Sequence, residues 1–382
     1  MIIPTQRNLF SIPEGVTFLN CSYVAPLLNS VRQSGVDALD KCSRPWELAS
    51  DDWFGPGEKL RALFARIIGA EADNIALIPS ASYGMAVAAR NIALRSSQKI
   101  ILLEHQYPSN YYAWRELSRE TGAEIVTVPR PSDNDWTAAI LERIDDHTGL
   151  AALPNCHWTD GTLIDLEAIG KATRNVGASL VVDASQSVGA FPMDVLRIKP
   201  DFLVAVAYKW LMGPYGLAYL YADEKHADAG RPIEHSWLTK KGAEDFAGLV
   251  DYQDDFRPGA RRFDSGEYSS FVKIPMAITA LTQVLEWGPD NIQSSISALT
   301  AEVSARAGRL GLQTANPKFR AGHMVGVRFP KERIELLSRK LSENRVYISW
   351  RGTNMRIAPH LYNDRRDVDR LCALLEEFGV EK

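Results

Sequence analysis

Two ionisable side chains stand at the ends of apolar, strand-like runs in this sequence. Lys209 follows the run FLVAVAY and precedes a turn rich in glycine and proline, and Asp183 ends the run SLVVD. A lysine desolvated at the end of a buried strand is biased towards the neutral, nucleophilic amine. Such an amine can form a Schiff base with an aldehyde, and an acid on a neighbouring strand end can pair with a protonated ring nitrogen. These two side chains would be the smallest set that an enzyme using pyridoxal phosphate (PLP) needs. A lysine without such a partner is more often a charged ammonium group that reaches solvent.

The elements that must position these residues lie between residues 56 and 225, where helix-like and strand-like patterns alternate. Short apolar runs separated by amphipathic segments predict βαβ units and a mainly parallel sheet. Parallel strands are buried on both faces, which explains why these runs are almost continuously apolar. Ligands bind beyond the carboxyl ends of such strands. We therefore expect one cleft to collect the polar residues that follow the strands, namely Glu104, Asn155, Asp183 and Lys209.

The pattern changes after residue 225. Residues 226–270 are polar and rich in charges and turns, which predicts a long excursion from the core. Residues 271–310 look helical, and from about residue 320 strand-like and helix-like stretches alternate up to a final helix, DVDRLCALLEEFG. The sequence therefore predicts a large α/β domain followed by a smaller C-terminal α+β domain.

Composition argues against several classes of function. The 382 residues carry a net charge of −4, which gives no reason to expect nucleic acid or an anionic membrane as a partner. We see no apolar run long enough for a membrane span and no secretory signal at the N-terminus. The four cysteines are scattered without metal-ligand spacing, so we expect no metal site and a reduced, cytoplasmic protein.

Three further segments bring polar or aromatic residues to strand ends. The segment IPSASYGM places Ala81 and Ser82 between a strand and a helix, where backbone N–H groups and hydroxyls make an anion site or an ordinary helix cap. In EHQYPSN, either Tyr107 or His105 could lie flat on a pyridine ring. The segment SLVVDASQ adds Gln186, and the residue before Lys209 is Tyr208.

In order, spacing and residue type, these segments resemble the class V aminotransferase branch of the fold-type I PLP enzymes. That branch includes cysteine desulfurases, selenocysteine lyases, kynureninases and isopenicillin-epimerase-like proteins. The segments GARRFDSGEYSS and WRGTNMRIAPHLYNDRRDVDRL also resemble the branch, so the likeness runs from about Phe18 to Leu375. It implies a large domain with a mainly parallel seven-stranded sheet (residues 18–260), a small C-terminal α+β domain (261–382) and an N-terminal arm associated with it (1–17).

The resemblance implies a role for each matching residue at the ring of the cofactor. Lys209 would hold the cofactor as a Schiff base and later carry the proton at the substrate Cα. Asp183 would pair with the pyridinium nitrogen, and Gln186 would bond the phenolic oxygen. All three residues lie in the two segments that first suggested this chemistry.

The resemblance also implies which residues bind the phosphate of the cofactor and which residue stacks on its ring. The backbone N–H of Ala81 and the hydroxyl of Ser82 would hold the phosphate, with Tyr208 assisting. Tyr107 would stack on the ring, because YPSN looks like the FPSD turn of kynureninases. His105 remains the competitor for that position, because cysteine desulfurases place a stacking histidine in this strand exit.

The substrate side is implied by the C-terminal segment. Arg356 would clamp the substrate α-carboxylate as a bidentate guanidinium–carboxylate pair. Arg351 could act there or be a surface charge. Trp158 would either form a wall of the substrate pocket or only pack against neighbouring side chains. The role of His157 beside it stays open.

Departures from the family pattern narrow the activity. The stretch VYISWRGTNMRI contains no cysteine where cysteine desulfurases of this branch carry their nucleophile, so persulfide chemistry is disfavoured. Kynureninases usually have a histidine where this chain has Gln186. Cys21 falls where the family's N-terminal loop approaches the substrate, although a buried unreactive thiol is the commoner case.

The resemblance therefore predicts a PLP-dependent enzyme that binds an α-amino acid as an external aldimine and removes its Cα proton. An aminotransferase ranks first, followed by a carbon–sulfur or carbon–selenium β-lyase or a kynureninase-like hydrolase. A PLP-fold binding protein without turnover ranks lower, and a nicotinamide-dependent oxidoreductase lacks its GxGxxG motif. Family members generally form homodimers, which implies that residues 259–270 contribute to the partner's active site.

Overall fold

The computed structural model describes residues 1–377, so the last five residues of the predicted small domain lie outside the described part. The strands are β1 Thr17–Phe18, β2 Ile75–Ile78, β3 Lys99–Leu103, β4 Glu124–Val128, β5 Thr148–Pro154, β6 Ser179–Asp183, β7 Phe202–Val206, β8 Ala218–Ala222, β9 Gln313–Thr314, β10 Val325–Arg328, β11 Val346–Tyr347, β12 Ser349–Arg351 and β13 Asn354–Ile357. The helices are α1 Asn29–Cys42, α2 Asp51–Ile68, α3 Ala81–Asn91, α4 Tyr112–Thr121, α5 Trp136–Leu141, α6 Leu166–Asn175, α7 Val195–Ile198, α8 Glu224–Ala229, α9 Lys273–Trp287, α10 Pro289–Arg309, α11 Ile334–Glu343 and α12 Arg365–Glu377.

A seven-stranded sheet forms the centre of the molecule, with strand order β2-β8-β7-β6-β5-β3-β4. Its pairs are parallel except for β8, which runs antiparallel to both β2 and β7. Strands β5, β7 and β8 are buried along their whole length, as expected when helices cover both faces of a sheet. The prediction of an α/β protein with a mainly parallel seven-stranded sheet is confirmed.

The excursion predicted for residues 226–270 contains the end of α8 and short 3₁₀ turns. It is followed by α9 and α10, which meet at Gly288 with φ 75°. Helix α9 packs against α1 and α2 of the preceding region. Because α9 follows the boundary predicted at residue 261 but packs against helices that precede it, the division into two domains at that residue stays a prediction.

A second, four-stranded antiparallel sheet has the order β12-β13-β10-β9. Its apolar side chains form a separate core with residues of α10, α11 and α12. The N-terminal residues reach this region, because the backbone N–H of Gln6 donates to the Leu361 carbonyl at 2.7 Å and β1 pairs with β11. Hairpin β12–β13 is the part of this unit that carries Arg351 and Arg356.

A buried ion pair ties helix α2 to the segment after α8. The Arg61 guanidinium donates to Asp264 Oδ1 at 2.8 Å, and both side chains are fully buried. The same carboxylate oxygen accepts the backbone N–H of Leu77 in β2 at 2.8 Å. The pair therefore holds the strand that leads into α3 against the segment 259–270.

None of the helices in residues 1–377 is long and apolar enough to cross a membrane.

Candidate active site

A pocket lies at the carboxyl ends of β5, β6 and β7, where the alternation of strands and helices predicted a cleft. Asp183, at the end of β6, and Lys209, just after β7, both line it. The full lining is Gln106, Tyr107, Asn110, Pro154, Cys156, Trp158, Asp183, Ser185, Gln186 and Lys209.

The Lys209 amine is held in a dry, aromatic environment. The residue is 6% exposed, and Nζ lies 5.4 Å from the ring centroid of Tyr107 and 5.8 Å from that of Tyr208. Burial lowers the pKa of Lys209 to about 8; Asp183 opposes this shift, whereas the charges of Arg356 and Arg351 reinforce it. Roughly a tenth of the amine is therefore neutral, and nucleophilic, at pH 7, far more than for an ordinary lysine.

Asp183 and Gln186 approach the pocket from the turn after β6. Asp183 Oδ1 accepts the backbone N–H of Ser185 at 3.1 Å. The Gln186 amide is fixed from both sides, since Nε2 donates to the Ser22 carbonyl at 3.1 Å and Oε1 accepts Trp210 Nε1–H at 3.2 Å. One amide hydrogen of Gln186 remains available to a ligand.

Of the two aromatic candidates, Tyr107 lines the pocket and His105 does not. Tyr107 meets Trp158 edge-on, with ring centroids 5.4 Å apart. His105 is exposed and has φ 55°, and its carbonyl accepts the indole N–H of Trp158 at 2.6 Å. The geometry therefore favours Tyr107 as the ring that faces Lys209.

The predicted phosphate-binding residues lie at the start of α3. Ser80 caps this helix by accepting the Tyr83 N–H at 3.2 Å, and its hydroxyl contacts that of Ser82 at 2.9 Å. Gly84 lets α3 approach β7, because a Cβ there would come within 2.6 Å of Val204 Cγ2. Neither Ala81 nor Ser82 lines the Lys209 pocket itself, and Tyr208 is half-buried between the two regions.

Arg356 offers an unused donor beside the pocket. Its Nη1 donates to the Trp158 carbonyl at 2.8 Å and its Nε to Ser349 Oγ at 3.1 Å, whereas its buried Nη2 has no acceptor among the described residues. Burial, together with the charge of Arg351, lowers the pKa of Arg356 to about 9. An unpaired buried guanidinium is costly, so an anionic ligand would stabilise it.

Two residues left open by the sequence have structural roles. His157 stacks on Trp136 with ring centroids 5.4 Å apart, and its ring nitrogens contact Thr159 Oγ1 at 2.8 Å and the Glu104 carbonyl at 3.1 Å. Burial lowers the pKa of His157 to about 4. Cys21 is fully buried, and burial raises the pKa of its thiol, which favours the protonated, less reactive form.

Sequence reasoning missed Asn110, Cys156 and Ser185, which also line the pocket. Cys156 follows the last residue of β5 by two positions, and Ser185 follows that of β6 by two. The rule that ligands bind beyond strand ends could have found both. Asn110 lies in a 3₁₀ turn after Tyr107, where no periodicity marks it.

The donor set suits PLP. It combines an amine that reacts with aldehydes, a buried carboxylate and an amide with a free hydrogen. Two polar atoms of the lining, Asn110 Nδ2 and Ser185 Oγ, and the neighbouring Arg356 Nη2 also have no partner among the described residues. Since buried polar groups are normally satisfied, a polar ligand fits this pocket.

Comparisons with known proteins agree with this geometry. The family model described as "Aminotransferase class-V" matches residues 56–371. The uncharacterized aminotransferase YcbU of Bacillus subtilis (strain 168) is 29% identical over 375 residues, covering 96% of this chain and 95% of the relative.

Two solved structures share the fold. The apo cysteine desulfurase of Thermococcus onnurineus NA1 has a TM-score of 0.84 at 18% identity and covers 99% of each chain. The cystine C–S lyase C-DES, in complex with its product cysteine persulfide, has a TM-score of 0.87 at 17% identity, covering 96% of this chain and 99% of the other. The fold is that of the fold-type I PLP-dependent enzymes, and with the family match over residues 56–371 the chain belongs to the class V aminotransferase family, as an enzyme of the transferase or lyase kind.

Proposed function

We propose that this protein is a PLP-dependent aminotransferase that acts on an α-amino acid. The observation that carries the proposal is the buried Lys209 amine, whose pKa is lowered to about 8, in one pocket with Asp183. When bound, PLP supplies an electron sink that stabilises negative charge at the substrate Cα. The residues described below supply binding, orientation and proton transfer.

The ring of the cofactor would be held on three sides. Lys209 would bond its aldehyde carbon, Asp183 would keep the ring nitrogen protonated, and the free amide hydrogen of Gln186 would reach the phenolic oxygen. Tyr107 would cover the ring face. At the far end, Ser82 and the Ala81 N–H at the start of α3 would hold the phosphate, assisted by the hydroxyl of Tyr208.

The substrate would be oriented by Arg356. Its unpartnered Nη2 is a donor for one oxygen of the α-carboxylate. The Lys209 amine, once free, is the base that takes the Cα proton and returns it. Trp158 fixes both ends of this arrangement, because its carbonyl accepts from Arg356 and its ring contacts Tyr107.

A second candidate is a carbon–sulfur or carbon–selenium β-lyase. Removal of the Cα proton by Lys209 is the first step in both reactions. Hairpin β12–β13 contains no cysteine, and burial raises the pKa of the Cys156 thiol in the pocket. Both observations disfavour a desulfurase, which needs a thiolate to accept sulfur, so the alternative is a lyase whose sulfur-containing product leaves directly. The kynureninase-like hydrolase shares the same lysine and ranks third.

A product assay separates these reactions. The PLP-loaded protein is incubated with single amino acids, without a keto-acid acceptor, and keto acid and ammonium are counted per active site. An aminotransferase releases about one keto acid per site and no ammonium. Continuous release of ammonium with pyruvate and sulfide would assign a lyase, and alanine formed from kynurenine would assign a hydrolase. No product from any amino acid would contradict the proposal.

We also propose a homodimer. An apolar pocket between α1, α2 and α9 is open to solvent and includes Trp53, Phe271 and Ile274. Other large apolar side chains, such as Trp46 (78% exposed) and Tyr252 (96% exposed), are left exposed to solvent by the rest of residues 1–377. In this dimer, residues 259–270 would complete the partner's cofactor site. The N-terminal arm (1–17) and the small domain (261–382) would flank that site.

The dimer is checked by sedimentation, which should give twice the chain mass of 42.5 kDa. PLP affinity should also fall on dilution as dimers dissociate, because contacts from residues 259–270 of the partner are lost. A monomer with undiminished PLP affinity would contradict this arrangement. A cytoplasmic location is likewise proposed, and cell fractionation checks it.

A further inference from the structure

Arg351 is a second arginine at the substrate side of the pocket. It is half-buried, and its buried Nε has no acceptor among the described residues. Its Nη1 donates only to the neighbouring Trp350 carbonyl, at 2.6 Å. No carboxylate in residues 1–377 forms an ion pair with Arg351, and the same holds for Arg356.

Hairpin register puts the two arginines on one face. Ser349 pairs with Arg356, and Arg351 pairs with Asn354, in the antiparallel hairpin β12–β13. Directly opposite residues share a face, and residues two apart on one strand share a face, so Arg351 and Arg356 are diagonal neighbours. Diagonal neighbours lie roughly 7–8 Å apart at the backbone.

Both guanidinium groups converge on Trp158. Arg356 Nη1 donates to the carbonyl of Trp158, and Arg351 Cζ lies 5.1 Å from the centroid of its ring. Trp158 in turn lines the Lys209 pocket. The two arginines therefore stand beside the same pocket wall without sharing any acceptor.

The charges of this region are unbalanced. Lys209, Arg351 and Arg356 act on one another, and Asp183 is the acid that lines the pocket with Lys209. One substrate carboxylate on Arg356 would neutralise one of the two arginines. The remaining guanidinium would still be half-desolvated beside a like charge, which is unfavourable unless a second anion is present.

Accordingly, we propose that the substrates are acidic α-amino acids, whose side-chain carboxylate binds Arg351 while the α-carboxylate binds Arg356. This inference rests on the proposed function, in which the amino group of the substrate reacts, and adds a binding site for the side chain of the substrate. Aspartate and glutamate carry two carboxylates separated by two and three carbon atoms. A guanidinium–carboxylate pair is directional and bidentate, so Arg351 would select for charge and for length.

Unreactive ligands test the subsite apart from turnover. Succinate and glutarate lack an amino group, and their monoamides, succinamate and glutaramate, match them in size with one charge fewer. Titration calorimetry on the PLP-loaded protein gives each Kd. We expect the better dicarboxylate to bind about tenfold or more tightly than its monoamide, a preference of the size that one charge-assisted pair supplies.

Variants assign that preference to one arginine. Arg351→Gln should abolish the difference between the dicarboxylate and its monoamide, Arg351→Lys should retain part of it, and Arg356→Gln should weaken both ligands. The matched control is Arg339→Gln on α11, an exposed arginine (side chain 68% exposed) that should change neither Kd. If Arg351→Gln weakens both ligands equally, Arg351 shares the α-carboxylate and the proposal is wrong.

Keto-acid formation separates this inference from the proposed function. Single turnovers with aspartate, glutamate, asparagine, glutamine and alanine should favour an acidic amino acid, and Arg351→Gln should remove that preference. Equal rates for all five would overturn the acidic subsite while leaving the aminotransferase proposal standing. Selective binding of dicarboxylates without any keto acid would support the acidic subsite and contradict the aminotransferase proposal.

Discussion

At the scale of single residues, the proposed chemistry depends on cationic side chains that have too few hydrogen-bond and ion-pair partners within the described residues. Lys209 and Arg356 are both buried, and burial lowers the pKa of each. Such groups destabilise the empty protein and are stabilised when an aldehyde or a carboxylate binds. The strand ends and the family resemblance predicted Asp183 and Gln186 as site residues, but the unused Nη2 of Arg356 could be seen only in three dimensions.

The carboxylate role of Arg356 can be measured by substitution. Arg356→Gln removes the charge and the free donor, so we expect the apparent KM for the amino acid to rise about tenfold to a hundredfold. The protein should still bind PLP, because Arg356 is not proposed to touch the cofactor, and the variants are compared at one fixed pH because the Arg356 charge also lowers the pKa of Lys209. Steady-state kinetics measures the effect, and Arg339→Gln is the matched control. An unchanged KM would place the α-carboxylate elsewhere.

The lowered pKa of Lys209 predicts a pH-dependent stability. Between pH 8 and the ordinary lysine value of 10.5, the unfolded chain binds a proton that the folded, cofactor-free protein has lost, so this group makes stability rise with pH. Below pH 8 the folded protein carries a buried ammonium. Lys209→Met lacks that ammonium, and its advantage in thermal midpoint should therefore be largest below pH 8 and shrink above it. A constant gap from pH 7 to pH 10 would contradict the lowered pKa.

At the scale of elements, the site depends on how the strand ends and the turns after them are held. Strands β5, β6 and β7 bring their carboxyl ends together, and hairpin β12–β13 reaches the pocket wall where Arg356 donates to the Trp158 carbonyl. The Arg61–Asp264 pair fixes β2, which leads into α3, against segment 259–270. This pair joins the proposed phosphate end to the segment that would reach the partner.

Breaking that pair from one side should be strongly destabilising. Asp264→Asn removes the fully buried counter-charge of Arg61 and leaves only the partly exposed Glu58, 3.3 Å from its Nε, so we expect a loss of about 3–5 kcal/mol, towards the lower figure, in the free energy of unfolding. Urea denaturation of the cofactor-free protein measures it. The matched control is Glu116→Gln, which breaks an exposed pair with Arg119 and should cost less than about 0.5 kcal/mol. Equal effects for the two variants would show that the buried pair is not a structural clamp.

The approach of α3 to the sheet should control cofactor affinity. In Gly84→Ala, the new methyl group would come within 2.6 Å of Val204 Cγ2 and 2.8 Å of Ile78 Cδ1, so Val204, Ile78 or α3 itself must shift, and we expect part of that adjustment to displace the start of α3. We expect weaker PLP binding with the reactive lysine unchanged. Fluorescence titration measures PLP affinity, and Gly308→Ala on α10, where a Cβ meets nothing, is the control. Unchanged PLP affinity in Gly84→Ala would separate α3 from the cofactor site.

At the scale of the whole molecule, the alternating pattern was enough to predict the α/β class, the parallel sheet and the cleft that collects Asp183 and Lys209. Strand order and the antiparallel β8 were not readable, because they depend on pairing between segments far apart in the chain. The alignment of Arg351 with Arg356 was missed for a different, local reason, since it follows from the register of a hairpin with a two-residue turn. Side-chain roles in loops, such as the stacked His157, have no periodicity to reveal them.

The central claim is that Lys209 forms the covalent bond to PLP. The most direct test is borohydride reduction of the PLP-loaded protein, followed by protease digestion and mass spectrometry of the labelled peptide. The account predicts one pyridoxyl group per chain, on Lys209, and loss of that label together with the visible absorbance band in Lys209→Ala. A label on a different lysine, or an undiminished label in Lys209→Ala, would contradict it.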